Sequence, residues 1–112
     1  MTTDYPLEIQ PTEVSDLRQQ GEDFLLLDVR QPGEFETASI QGAVLIPLGE
    51  LGERLSELEP YRDRRIVVHC HHGVRSMRAV LGLRQNGFNK AQSLAGGIDL
   101  WSQQIDSDVP QY

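Results

Sequence analysis

The chain has 112 residues, 38% of them hydrophobic, enough sequence for one domain around one small core. Acidic side chains outnumber basic ones by 17 to 10, and the net charge of −7 argues against nucleic acid as a partner. No apolar run approaches the ~20 residues that cross a bilayer. The start, Met-Thr-Thr-Asp-Tyr-Pro, lacks the basic flank and apolar stretch of a signal peptide, and the single cysteine makes no internal disulfide, so a cytoplasmic monomer away from membranes is expected.

In chain order the sequence alternates between strand-like and helix-like segments, which predicts an α/β domain with a mostly parallel, five-stranded sheet and helices on both faces. Residues 7–10 form a short strand candidate. Pro11 and Thr12 then open a helix over 13–20 that Gly21 closes. Residues 24–29 are a continuous apolar run, as in a strand covered on both sides. Gln31-Pro-Gly breaks that run, one or two helical turns follow over 34–38, and 43–46 is a further strand ended by Pro47. Leu51, Leu55 and Leu58 have helical spacing and predict an amphipathic helix closed by Pro60. Ile66–His69 reads as the next strand. A helix over 76–86 follows, with Met77, Val80 and Leu81 on its inner face and Gly87 as its C-cap. Ala91–Leu94 is the last strand, and Gly96-Gly97 turns into a final helix carrying Leu100 and Trp101. The domain core spans about 7–105, and the stretches 1–5 and 106–112 read as loose tails.

The chemistry concentrates in Arg65-Ile-Val-Val-His-Cys-His-His-Gly-Val-Arg-Ser76. Cys70 stands at the end of a strand, before a Gly-containing loop and a helix start. Backbone N–H groups and the helix dipole there favour an anion, so Cys70 is expected to be a nucleophilic thiolate rather than a packed apolar residue. The first sixty residues carry 13 acids and 3 bases, whereas the remainder carries 4 acids and 7 bases. Arg62, Arg64, Arg65, Arg75, Arg78 and Arg84 bracket the cysteine loop, and a positive field there would attract an anionic substrate. Arg62, Arg64 and Arg84 are better read as ordinary solvated charges.

His69, His71 and His72 raise a metal reading, since histidine and cysteine are the usual zinc ligands. Adjacent residues at a strand end point in alternating directions, however, and no metal site or organic cofactor is expected. His69 reads as a strand residue satisfied by hydrogen bonds, with His71 and His72 lining the pocket mouth. Trp101 reads as core in preference to a pocket wall.

Four segments, in order and at the right separations, resemble a single-domain rhodanese over roughly residues 9–101. They are Leu27-Asp-Val-Arg-Gln-Pro-Gly-Glu-Phe35, Ile40-Gln-Gly-Ala-Val-Leu-Ile-Pro47, the loop Cys70-His-His-Gly-Val-Arg-Ser76, and Gly87-Phe88 with Leu94-Ala-Gly-Gly-Ile98 and Trp101. Two positions depart from the family pattern. Ala38 and Ser39 stand where members often have Gly-His, and His71, a pH-sensitive substitute, stands where many have arginine after the cysteine.

The resemblance implies sulfur transfer. Related phosphatases of the same fold have a loop one residue longer, and four residues between Cys70 and Arg75 make a ring better sized for one sulfur atom. The implied reaction is a covalent relay through a Cys70 persulfide, from a small anionic donor such as thiosulfate to cyanide, a thiol or a protein acceptor. The N–H groups of His71, His72, Gly73, Val74, Arg75 and Ser76 would stabilise the persulfide, and Arg75 would orient the donor or close the loop as a salt bridge. Asp28 and Arg30 are implied to be a structural ion pair beside the loop. The alternative is a rhodanese-like sulfur-relay or interaction module with little activity on thiosulfate.

Overall fold

The computed structural model describes residues 5–112. Its elements run β1 (Glu8–Ile9), α1 (Pro11–Gln19), β2 (Leu25–Asp28), α2 (Pro32–Thr37), β3 (Val44–Leu45), two 3₁₀ segments (Leu48–Glu50 and Leu55–Tyr61), β4 (Ile66–His69), α3 (Val74–Gln85), β5 (Ala91–Leu94) and α4 (Gly97–Gln104). The five strands form one sheet in the order β1-β5-β4-β2-β3, and every pairing is parallel.

The apolar runs of β2 and β4 hide a period of two. Leu25, Leu27, Val29, Ile66, Val68 and Cys70 face a core shared with α3 and the 3₁₀ segments. Leu26 and Val67 face the opposite core, with Val14 of α1 and Ile98 and Trp101 of α4. Both faces of the sheet are therefore dry, which is why neither strand alternates between apolar and polar residues. Trp101 is core, as expected, and Arg18 lies over its ring.

Three expectations need correction. The segment carrying Leu51, Leu55 and Leu58 is not an α-helix closed by Pro60; it is turns followed by a 3₁₀ helix that contains Pro60. Gly52 and Pro60 weaken α-helix there, and Leu55 and Leu58, three residues apart, eclipse on one side of a three-residue turn and still reach the core. In α3 the buried positions are Ser76, Ala79, Val80 and Leu83, whereas Leu81 is 47% exposed. The helix starts two residues earlier than its apolar pattern suggests and is rotated to point Ser76 inward. The stretch 106–112 is not a loose tail either. Val109 is buried and its carbonyl accepts from Ser102 Oγ, while Tyr112 reaches back across the molecule. Of the N-terminal tail expected over 1–5, residues 1–4 lie outside the described ones.

The topology fixes where a site can form. The β2-to-β3 connection crosses the sheet on the face of Ala38 and Ile40, and the β4-to-β5 connection crosses on the face of Ala79 and Val80. Two neighbouring strands thus send their chains to opposite faces, and the carboxyl ends of β2 and β4 open a crevice between α2 and α3. Cys70 stands at its centre. Among the described residues, no helix is long and apolar enough to cross a membrane.

Candidate active site

Cys70 is only 1% exposed, and its sulfur is a focus of donors. The amide of Gly73 lies 3.1 Å from Sγ and that of Ser76 lies 3.4 Å away. The loop can curl this tightly because Gly73, at the N-cap of α3, takes a φ of +118°, which side-chain-bearing residues rarely adopt. The Cys70 thiol in turn donates to Ser76 Oγ at 3.5 Å, and Ser76 Oγ lies 2.7 Å from Ser93 Oγ on β5. Of the loop amides expected at the sulfur, Gly73 and Ser76 are the two in bonding geometry. Val74, beside them, is an exposed apolar residue.

Arg75 is committed elsewhere. Its guanidinium donates in bidentate fashion to Glu34 of α2, Nη1 to Oε1 at 2.6 Å and Nη2 to Oε2 at 2.9 Å. Glu34 also accepts from the Gln31 amide, its capping-box partner, and from the Tyr112 hydroxyl at 2.9 Å. The Arg75 bonds, reinforced by the other two, hold the Glu34 carboxyl down at about 2. This is the loop-closing salt bridge of the two readings of Arg75. It clamps α3 to α2 across the crevice.

Asp28 and Arg30 are fully buried and paired at 2.6 Å. Arg30 also donates to the carbonyls of Glu34 and Ala38 and to the Tyr112 hydroxyl. The pair therefore organises α2, which carries Glu34. Of the three arginines read as solvated, Arg64 pairs with Asp23 at the exposed surface, as expected, whereas Arg62 also reaches the Asn86 carbonyl and Arg84 donates to the Ala91 and Tyr5 carbonyls.

The histidines differ most from expectation. His69 is fully buried, and neither ring nitrogen has a hydrogen-bond partner among the described residues. Burial pushes it down to about 4; the nearby Arg30 acts in the same sense, while Asp28, its register partner on β2, opposes it. Because the folded chain resists protonation below the ordinary value of 6.5, stability is complete above that pH and falls as pH drops toward 4. His69→Leu is expected to remove this acid-side loss in urea unfolding recorded between those pH values; an unchanged profile would show that other groups cause it. His71 and His72 do not diverge as adjacent residues were expected to. They lie beyond the end of β4, with ring centroids 3.9 Å apart, and Tyr112 stacks on the other side of His71 at 4.1 Å and 8°.

Sequence reasoning missed Glu34, Ser93 and Tyr112. Ser93 left a signal, being polar beside Gln92 in a strand buried along its whole length. Glu34 stood inside the matched Glu-Phe segment but was assigned no role. Tyr112 left none.

A central parallel strand thus delivers a cysteine sulfur to two loop amides at the carboxyl edge of an α/β domain. The family model for the rhodanese-like domain matches residues 10–104, and the chain belongs to that family. It is 35% identical to a sulfurtransferase of Allochromatium vinosum over 95 residues, covering 85% of this chain and 87% of that one. It is 40% identical over 106 residues to the probable adenylyltransferase/sulfurtransferase MoeZ of Mycobacterium tuberculosis, covering 93% of this chain but only 26% of that protein. Among solved structures, a rhodanese-related protein from Thermoplasma volcanium superposes with a TM-score of 0.79 at 34% identity, covering 89% and 94% of the two chains.

Proposed function

We propose that the chain is a sulfurtransferase that carries sulfane sulfur on Cys70 as a persulfide. One observation carries the reading: the Gly73 and Ser76 amides converge on a buried sulfur at the carboxyl end of the central strand. Donors fixed in advance around a sulfur favour its anionic form without reorganising during the reaction. The Cys70 thiolate attacks the outer sulfur of thiosulfate. A sulfur–sulfur bond forms to Cys70, and the bond to the sulfonate sulfur breaks, its electron pair leaving with sulfite. The terminal persulfide sulfur then passes to a nucleophile such as cyanide or a thiol, which regenerates the thiolate. No residue of the loop needs to act as a redox centre.

A second reading, a sulfur relay fed by another protein and slow with thiosulfate, is favoured by the Arg75–Glu34 pair. A guanidinium already neutralised by a carboxylate attracts a dianion weakly. The sulfurtransferase-bearing MoeZ, of which this chain spans about a quarter, is consistent with it. Intact mass under non-reducing conditions separates the two. After incubation with thiosulfate the protein is expected to gain one sulfur atom, lost again on adding cyanide, with Cys70→Ser showing no gain. A gain only from a persulfide donor favours the relay. No gain from either donor would sink the persulfide mechanism.

A further inference from the structure

We propose that His71, His72 and Asp99 bind one divalent transition-metal ion of the zinc type at the rim of the Cys70 loop. One potential ligand atom from each of the three lies within 4.8 Å of the other two. Bonds of about 2.0–2.2 Å to nitrogen and oxygen put ligands of a tetrahedral ion roughly 3.3 Å apart. Closing the difference takes small side-chain rotations, which His72, 63% exposed, is free to make.

The remaining parts are already held. The His71 ring is stacked on Tyr112 at 4.1 Å and 8°. The Asp99 amide donates to the His71 carbonyl at 3.1 Å, which fixes the start of α4 over the loop, and Gln103 Nε2 donates to the Asp99 carboxylate at 3.1 Å. Supporting contacts of this kind orient ligands around an ion.

Two features favour an ion at this place. His71 Nε2 is buried and has no hydrogen-bond partner among the described residues, an arrangement that costs stability unless something occupies it. His72 Nε2 stands 3.7 Å from Asp99 Oδ2, too far for a hydrogen bond but suited to two ligands of one ion.

Two imidazoles and one carboxylate form a three-ligand set that leaves further coordination positions open. Such a set suits zinc, cobalt or nickel better than magnesium or calcium, which prefer all-oxygen shells. The site is separate from the nucleophile, since the Cys70 sulfur is not among the clustered ligand atoms. It would add two positive charges to a rim where the charge of Arg75 is spent on Glu34.

The test uses tag-free protein titrated with Co²⁺, followed by visible absorption, and with Zn²⁺, followed by calorimetry. About one equivalent is expected to bind. His72→Ala and Asp99→Asn should each weaken binding at least tenfold, with circular dichroism unchanged, and Cys70→Ser should bind as wild type does. Binding that survives both rim substitutions would overturn the proposal. So would a thiolate-to-cobalt absorption band that disappears in Cys70→Ser, or the absence of saturable binding. None of these readouts depends on sulfur transfer, so the metal site and the persulfide reading fail independently.

Discussion

Replacing Gly97 with alanine is expected to cost about 2–4 kcal/mol of stability and to slow sulfur loading of Cys70 roughly a hundredfold. Gly97 has a φ of +60°, and a Cβ there would overlap the carbonyl oxygens of Cys70 and His71. Neither obstacle is a flexible side chain that could swing aside. Those same carbonyls accept the amides of Ile98 and Asp99, at 2.9 and 3.1 Å. The first turn of α4 is therefore pressed against the back of the Cys70 loop, and glycine is what permits the approach. Any shift that relieves the overlap moves Cys70 relative to Gly73 and Ser76, three and six residues further along the chain. Gly82 supplies the control. It sits inside α3 with nothing near its would-be Cβ, so Gly82→Ala should be neutral or stabilising by up to about 1 kcal/mol. Urea unfolding of both variants decides the matter: equal stabilities would mean that the loop does not depend on this contact.

The fold was legible because its strongest elements are local patterns. Ile66–His69 reads to the residue as an apolar run, and Ala91–Leu94, half polar, reads to the residue from its place between Gly87 and Gly96-Gly97. The 3₁₀ segment failed for an equally local reason. Leucines at spacings of three and four satisfy either helix, and only Gly52 and Pro60 argued against the α form. The inner face of α3 failed because Leu81 and Leu83 look alike in a pattern. The core takes Leu83 because Ser76, two turns earlier, must point at Cys70 and Ser93.

The site divides in the same way. Cys70 and its loop could be read because the strand, the glycine and the helix start are contiguous. The clamp around them could not, because its partners are far apart in sequence. Glu34 meets Arg75 across 41 residues, and Tyr112 meets Arg30 across 82. A carboxylate in a first helical turn reads as a capping residue, and Glu34 is one as well as the partner of Arg75. Tyr112 lies in a polar stretch with no period, so nothing local distinguishes it from a solvated end. Such pairings are set by the order of strands in the sheet, which brings α2 and α3 to one crevice.

Arg30→Met is expected to destabilise the chain by about 3–5 kcal/mol, because methionine fills much of the space but leaves the Asp28 carboxylate buried without its counter-charge. The ion pair itself need not be net stabilising; what costs is breaking one half of it. The double variant Asp28→Asn/Arg30→Met tests this, since it removes both charges while the amide oxygen can still accept from the residue 30 backbone N–H, as Asp28 Oδ1 does now. If the unpaired charge dominates, the double variant should recover most of the loss. Recovery should nonetheless be incomplete. Arg30 also fills the carbonyl of Ala38 at the end of α2, and that acceptor stays unpaired in both variants, whereas the Glu34 carbonyl keeps the Ala38 amide. A single variant within about 1 kcal/mol of wild type would show that Arg30 does not hold the crevice together. A double variant no better than the single would place the whole cost in α2, and through Glu34 in the position of Arg75.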